Sequence, residues 1–579
     1  MPNAPATIWT MSRRTLPALF TLVFTALSSM TAGQAQPSFD VLIQNGRVMD
    51  GSGNPWVAQD IGIRGGVIAA VGKLERARAT RVIDAAGRLV TPGFIDVHSH
   101  AAEGLVRAQL RQGQPLLAQG VTTIVGNPDG GGPVDLTAQR ANLEKGGLGP
   151  NVALLIGHGA VRSAVMGGAN RAPTSEELAR MQTLVRTGME QGAFGLSSGL
   201  FYTPGSYATT EEVIALTQAA AERGGLYTSH IRDEGNYGAG VVAAVEEVIR
   251  IAEESKTIGI VSHAKALGPD NWGLGHAITH RIAAARARGV QVFTDQYPYE
   301  ASSTSLRAAL LPDGVPVPTA AHLAKPDAMT AAERAVFDRA EKVATENLRR
   351  RGGPAAILIA HFRPDPTLEG KSLAQIATAR GVPPVRAALE MIAQQSPSIV
   401  SFNMSEDDIA EIMRQPYTMT SSDGGLVAMG EGKPHPRNYG SFARKLSRYV
   451  RERETVTLEH AVRSMTSLPA AVFGMKDRGV IREGAAADIL IFDPAAVVER
   501  SSYTDPHHLA EGMYFVLVNG EVAIAEGKFT SAMAGRVLRK PRTSTPNSQL
   551  PTTNSQAALK GQRYSTTDIQ LRNLRTRTI

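Results

Sequence analysis

The 579-residue chain contains no cysteine. Disulfide staples are therefore excluded, and stability has to come from a large apolar core, supplemented by any bound metal. Transmembrane anchoring is also poorly supported. The apolar run at residues 16–27 is shorter than the roughly 20 residues a spanning helix needs. No internal repeat of solenoid length occurs, and composition carries no signal for a coiled coil, a collagen or a disordered chain. A basic body is missing as well. Eight basic residues and one acid lie from Arg539 onward, and Arg13 and Arg14 lie near the start. The net charge of +7 thus belongs to the two ends, and the body is close to neutral. That argues against a nucleic-acid partner.

What is present at the N-terminus is a leader. Arg13-Arg14, the short apolar run and Ala32-Gly-Gln-Ala35 make the pattern of a secretory signal over 1–35. The expected location is periplasmic or secreted, without stable membrane insertion after cleavage. Ser12-Arg-Arg-Thr-Leu16 resembles a twin-arginine signal, so the choice of export route stays open. The stretch 539–579, rich in Ser, Thr, Asn and Gln, reads as a basic, solvated, disordered tail.

Between these ends the pattern changes twice. From Phe39, short strand-like runs such as Val41-Leu-Ile and Ile61-Gly-Ile are separated by turn residues, and similar runs return at Ala487-Asp-Ile-Leu-Ile-Phe and Tyr514-Phe-Val-Leu-Val. The two pieces, 36–90 and 473–538, are expected to pair into a small flanking β-sandwich. Over 91–472 about eight apolar strands alternate with amphipathic helices. That predicts an α/β fold, a TIM-like (β/α)8 barrel. An insertion at about 313–353 breaks the alternation and is expected to form a lid.

Chemistry-bearing residues end the predicted strands. In Pro92-Gly-Phe-Ile-Asp-Val-His98-Ser-His100, positions i and i+2 of a strand face one side, so two imidazoles can reach one ion. His230 and His263 close two later strands, and Asp423 closes a last one in Ser-Ser-Asp-Gly-Gly. A carboxylate there can act as general base and then acid.

These residues resemble the amidohydrolase superfamily. Gly195-Leu-Ser-Ser-Gly-Leu-Phe-Tyr202-Thr-Pro-Gly, His230-Ile-Arg-Asp-Glu-Gly, Ser262-His-Ala-Lys265, Tyr297-Pro-Tyr-Glu-Ala and His435-Pro-Arg437-Asn-Tyr-Gly are similar to its N-acyl-D-amino-acid deacylase (D-aminoacylase) branch. The resemblance implies zinc, as one or two ions, with another divalent metal possible. It also implies a substrate carboxylate bound by Tyr202, Lys265, Ser303 and Arg437. The sequence departs from that family where a cysteine ligand is expected after the second strand. Here Gly126-Asn-Pro-Asp129-Gly carries Asp129 instead, either a carboxylate ligand or a turn residue. Strand four offers Ser197 and Ser198, with no lysine to carbamylate.

The expected function is metal-dependent hydrolysis of an N-acyl-D-amino acid or a related carboxylate-bearing amide. Asp423 would be the acid/base, and His98, His100, His230, His263, Asp129 and Asp423 the metal donors. The partner is a small N-acylated, peptide-like substrate. The alternatives are a dipeptidase or other amidase of the same superfamily, and a non-catalytic binder with a degraded metal site.

Overall fold

A computed structural model describes residues 38–541, except 75–76, 313 and 325–327. The expected leader at 1–35 and all but the first three residues of the expected tail lie outside the described residues. Among those described, no helix is long and apolar enough to cross a membrane.

The body is built on eight parallel strands. They are β1 Phe94–Asp96, β2 Val121–Gly126, β3 Asn151–Leu154 continued by Ile156–Gly157, β4 Gly195–Gly199, β5 Leu226–His230, β6 Gly259–Val261, β7 Val292–Gln296 and β8 Thr418–Thr420. Each pairs in parallel with the next. Just past β8, the Asp423 N–H donates to the His98 carbonyl at 2.8 Å and the His100 N–H donates to the Gly424 carbonyl at 2.9 Å. Asp96 tightens the same junction by accepting from the Ser422 N–H at 2.8 Å.

Most of these strand residues are buried, as expected of parallel strands covered on both faces, although several carry buried polar residues toward their C-terminal ends. Helices Ser175–Glu190, Thr210–Ala221, Val241–Ser255 and Gly275–Ala287 cover the strands. Ser175–Glu190 starts at Thr174, whose hydroxyl and Glu177 form a reciprocal capping box. Val241–Ser255 buries Val241, Val245, Val248 and Ala252 at helical spacing.

The β segments from the two ends of the chain share one nine-stranded sheet. Their junction is the antiparallel pairing of Leu89–Pro92 with Ile489–Phe492. Gly93 then separates Leu89–Pro92 from β1. A Cβ at Gly93 would stand 2.1 Å from Thr122 Oγ1, so only glycine fits between the two sheets.

Two sequence boundaries are corrected. The excursion between β7 and β8 is wider than 313–353. Strands Ala301–Ser305, Ile357–His361 and Ser398–Phe402 form a separate three-stranded antiparallel sheet. It has its own core, which includes Leu310, Phe337, Leu348, Ile359, Leu389 and Ile399. Its flanking strands look like any other short strands in sequence, and only their antiparallel pairing with each other sets them apart. The expected boundary at 539 also falls within held chain. Leu538 and Val152 are joined by a backbone hydrogen bond of 2.8 Å, and the Lys540 N–H reaches the Gly192 carbonyl at 3.1 Å.

Candidate active site

Parallel strands present all their C-terminal ends on one face, where ligands of α/β proteins bind. His98 and His100 follow β1, Asp129 follows β2, Tyr202 follows β4, His230 ends β5, His263 follows β6 and Asp423 follows β8. Asn127, Asp129, His263 and Asp423 hold φ of 60°, 57°, 35° and 50°. This left-handed region costs a non-glycine residue roughly 1–2 kcal/mol. Local bonds enforce it. The His263 N–H donates to Asp295 Oδ1 at 2.9 Å, and Asn127 Nδ2 donates to the Leu155 carbonyl at 3.0 Å.

The six donors fall into two groups that share Asp129. In the first, His98 Nε2 lies 3.3 Å from Asp129 Oδ1. His100 Nε2 lies 3.3 Å from both Asp129 Oδ2 and Asp423 Oδ1, and His98 Nε2 is 3.7 Å from Asp423 Oδ1. In the second, Asp129 Oδ1 lies 3.7 Å from His263 Nε2 and 3.9 Å from His230 Nδ1. The two imidazoles are 2.9 Å apart.

Two donors each about 2 Å from one tetrahedral ion sit roughly 3.3 Å from each other, so the first group has the spacing of a chelate. His98 Nε2 and Asp129 Oδ1 are buried without a hydrogen-bond partner. A native core rarely tolerates such atoms unless something else binds there. The donor set fits a divalent cation of the zinc type.

The electrostatics agree. Burial opposes ionisation of Asp129, yet His98, His100 and His263 outweigh it and hold the carboxyl well below the usual range. Burial also opposes ionisation of Asp423, which Arg437 above all holds down. Burial would lower His100, but hydrogen bonds to Asp129 and Asp423 push it up to about 10. For His263, burial and Lys265 are overcome by Glu234 and Asp423, and the ring rises to about 9. Burial dominates at His230 and lowers it to about 4. Two firmly ionised carboxylates thus face four imidazoles, and protons or a metal cation must balance them.

All these groups except His98 line one cavity of about 410 Å³, together with Tyr202, Lys265, Ser303 and Arg437. The structure therefore brings every sequence-predicted site residue to a single place. It also shows partners that the sequence did not. Lys265 is tied to Glu234, and Arg437 Nη1 lies 2.6 Å from Asp423 Oδ2. Both cations expected to grip a carboxylate already face one. Tyr202 Oη lies 3.3 Å from Thr304 Oγ1, and Ser303 stands beside it on the excursion's sheet.

Glu234, Tyr237, Tyr297 and Arg351 also line the cavity; Glu234 and Tyr297 lie in motifs that carry the family resemblance but had no role assigned, and Tyr237 and Arg351 were missed. Glu234 Oε1 lies 3.0 Å from His263 Nδ1. Lys265 Nζ lies 2.9 Å from the same nitrogen, so the Glu234–Lys265 pair together holds the His263 ring in place. For Glu234 the available signal was its place in His230-Ile-Arg-Asp-Glu-Gly. Arg351 closes an Arg-Arg-Arg run that reads as a solvated helix end.

Comparison with known proteins places this geometry in context. The model of the amidohydrolase family matches residues 81–524. The D-aminoacylase of Alcaligenes xylosoxydans xylosoxydans is 34% identical over 88% of this chain and 99% of its own length. The N-acyl-D-glutamate deacylase of the same organism is 36% identical over 87% and 97%. A solved N-acyl-D-glutamate deacylase from Bordetella bronchiseptica is complexed with zinc and a phosphonate inhibitor, a mimic of the reaction tetrahedral intermediate. It matches with a TM-score of 0.72 at 35% identity, over 86% of this chain and 99% of that one.

Proposed function

The chain belongs to the amidohydrolase family, and from that premise we propose that it removes the acyl group from N-acyl-D-amino acids by metal-dependent hydrolysis. The observation that carries this reading is one cavity in which two donor groups share Asp129 beside Tyr202, Lys265, Ser303 and Arg437. The fold reading that accompanies it is a closed (β/α)8 barrel flanked by a β-sandwich made from both ends of the chain. It is supported by the eight parallel strands and the backbone bonds from β8 to β1.

His98, His100, Asp129 and Asp423 would hold one zinc ion, and His230 and His263 with Asp129 a second. When bound, such an ion supplies Lewis-acid polarisation of a carbonyl and makes water acidic enough to attack at neutral pH. Asp423 takes the proton of the attacking water and returns it to the leaving amine. Arg437, already at its Oδ2, keeps that carboxylate aimed into the cavity. The guanidinium has further donors in a planar fork, which suits the free carboxylate of an amino-acid substrate. Lys265 adds a second positive charge, and Tyr202 and Ser303 supply neutral hydrogen-bonding groups. Glu234 orients His263 and restrains Lys265.

The test is a titration of metal-depleted protein with zinc, following metal per chain and amine released from N-acetyl-D-amino acids. Hydrolysis should appear with the metal and vanish on chelation. Metal uptake without hydrolysis of any N-acyl amino acid would refute the reading.

A further inference from the structure

The helix Ala331–Arg350 ends in three consecutive arginines with different fates. Arg349 is exposed and reaches Asp270 and Glu346, and Arg350 reaches Glu346. Arg351 turns inward and is only 2% exposed. Gly352 and Gly353, with φ of 89° and 88°, bend the chain immediately afterwards. Arg351 lines the cavity. It donates from Nε to the Ala309 carbonyl at 3.3 Å, and from Nη1 to Asn403 Oδ1 at 3.2 Å in the amide orientation that satisfies both groups. Its guanidinium lies over the Tyr237 ring at 5.7 Å. Carbonyls, amides and rings do not balance a charge. Lys265 has Glu234 and Arg437 has Asp423, whereas no carboxylate lies within ion-pair reach of Arg351 among the described residues. A buried, uncompensated guanidinium is costly to keep, and a ligand anion arriving in the cavity relieves that cost.

The distance from the imidazoles indicates which anion. Arg351 packs on Tyr237, Tyr237 packs on Phe201 with ring centroids 5.8 Å apart, and Phe201 packs on His230 at 5.8 Å. A substrate that presents its amide to the imidazole cluster therefore meets Arg351 with a more distant group.

Resting on the deacylase reading above, we infer that Arg351 receives a second carboxylate of the substrate, so that the preferred substrates are dianionic N-acyl amino acids. That carboxylate can belong to an acidic side chain or to the acyl group, and the two sources are separable. Arg351 binds and selects; it takes no part in bond breaking.

The experiment measures kcat/KM of the zinc-loaded protein for four substrates. N-acetyl-D-glutamate is set against its neutral isostere N-acetyl-D-glutamine, and N-succinyl-D-alanine against N-butanoyl-D-alanine. One acidic partner should exceed its neutral counterpart by about 10²-fold or more, the scale on which leaving one member of a buried charge pair unmatched weakens binding. Preference in the first pair assigns the carboxylate to the side chain, and preference in the second assigns it to the acyl group. Arg351→Gln and Arg351→Lys should collapse that preference, glutamine almost to unity and lysine less far. Equal rates within both pairs in the wild type overturn the inference without any variant, as does a folded Arg351→Gln that keeps the wild-type preference. If no N-acyl amino acid is hydrolysed, the deacylase reading fails on its own. Arg351 is then judged by calorimetric binding of the same four compounds, and binding that ignores the second carboxylate overturns it.

Discussion

Asp129 serves both donor groups through one carboxylate. Oδ1 faces His98 at 3.3 Å and His263 at 3.7 Å, and Oδ2 faces His100 at 3.3 Å. Removing it takes a ligand from each group. Asp129→Ala should lose, under mild chelation, metal that the wild type retains, and hydrolysis should fall in step. Elemental analysis beside an amide assay checks this, and a variant that keeps both removes Asp129 from the ligand set. Asp423→Asn preserves shape and removes the proton acceptor, so kcat should drop by about 10²-fold or more with the fold intact. The histidines were legible because each ends an apolar run, and His98 and His100 share the i, i+2 spacing. Asp129 was half legible, since Pro-Asp-Gly serves equally well as a turn. Arg351 was hidden, because nothing local distinguishes the third arginine of a helix end from the two that meet solvent.

Among the elements, the irregular helix Lys445–Glu452 carries an unusual burden. Lys445 is buried, and among the described residues its Nζ donates to Thr420 Oγ1 and Ser464 Oγ, both at 2.8 Å. Burial lowers it to about 7, against about 10.4 in an unfolded chain. Between those values the unfolded state binds the proton more tightly, so this group makes stability rise from about pH 7 towards pH 10. Below about pH 7 its penalty is constant. Lys445→Met should therefore raise the Tm most at or below pH 7, with the two proteins converging towards pH 10. The gain should not exceed about 5 kcal/mol. It leaves Thr420 and Ser464 hydroxyls 3.5 Å apart, near enough to pair. Melting curves across that range decide, and a pH-independent difference would contradict the cause. All eight strands of the body were legible as short runs between turns and helices, including Gly195–Gly199 and Thr418–Thr420, which carry few apolar side chains. Their bounds were less so. Leu89 to Asp96 reads as one strand, and only the approach of Thr122 to Gly93 shows why it must divide between two sheets.

For the molecule as a whole, the sequence leaves export as a proposal resting on Arg13-Arg14, the apolar run and Ala35. Mature protein recovered from a bacterial periplasm should begin near Gln36, as N-terminal sequencing would read it. An intact start on soluble cytoplasmic protein would remove the proposal. The β segments within 39–92 and 489–529 meet in one nine-stranded sheet beside the parallel strands. Truncation into residues 39–92 or 489–529 should therefore cost stability, read as a lowered Tm. The central claim concerns the cavity, where carboxylate-binding groups stand beside the shared donor pair. The most direct measurement incubates the zinc-loaded protein with racemic N-acetyl amino acids, glutamate among them, and resolves the enantiomers of the released amine. The account predicts free D-amino acid, with the L-substrate left acylated and all release stopped by chelation. Release of the L-amino acid at an equal rate, or release that survives chelation, would contradict it.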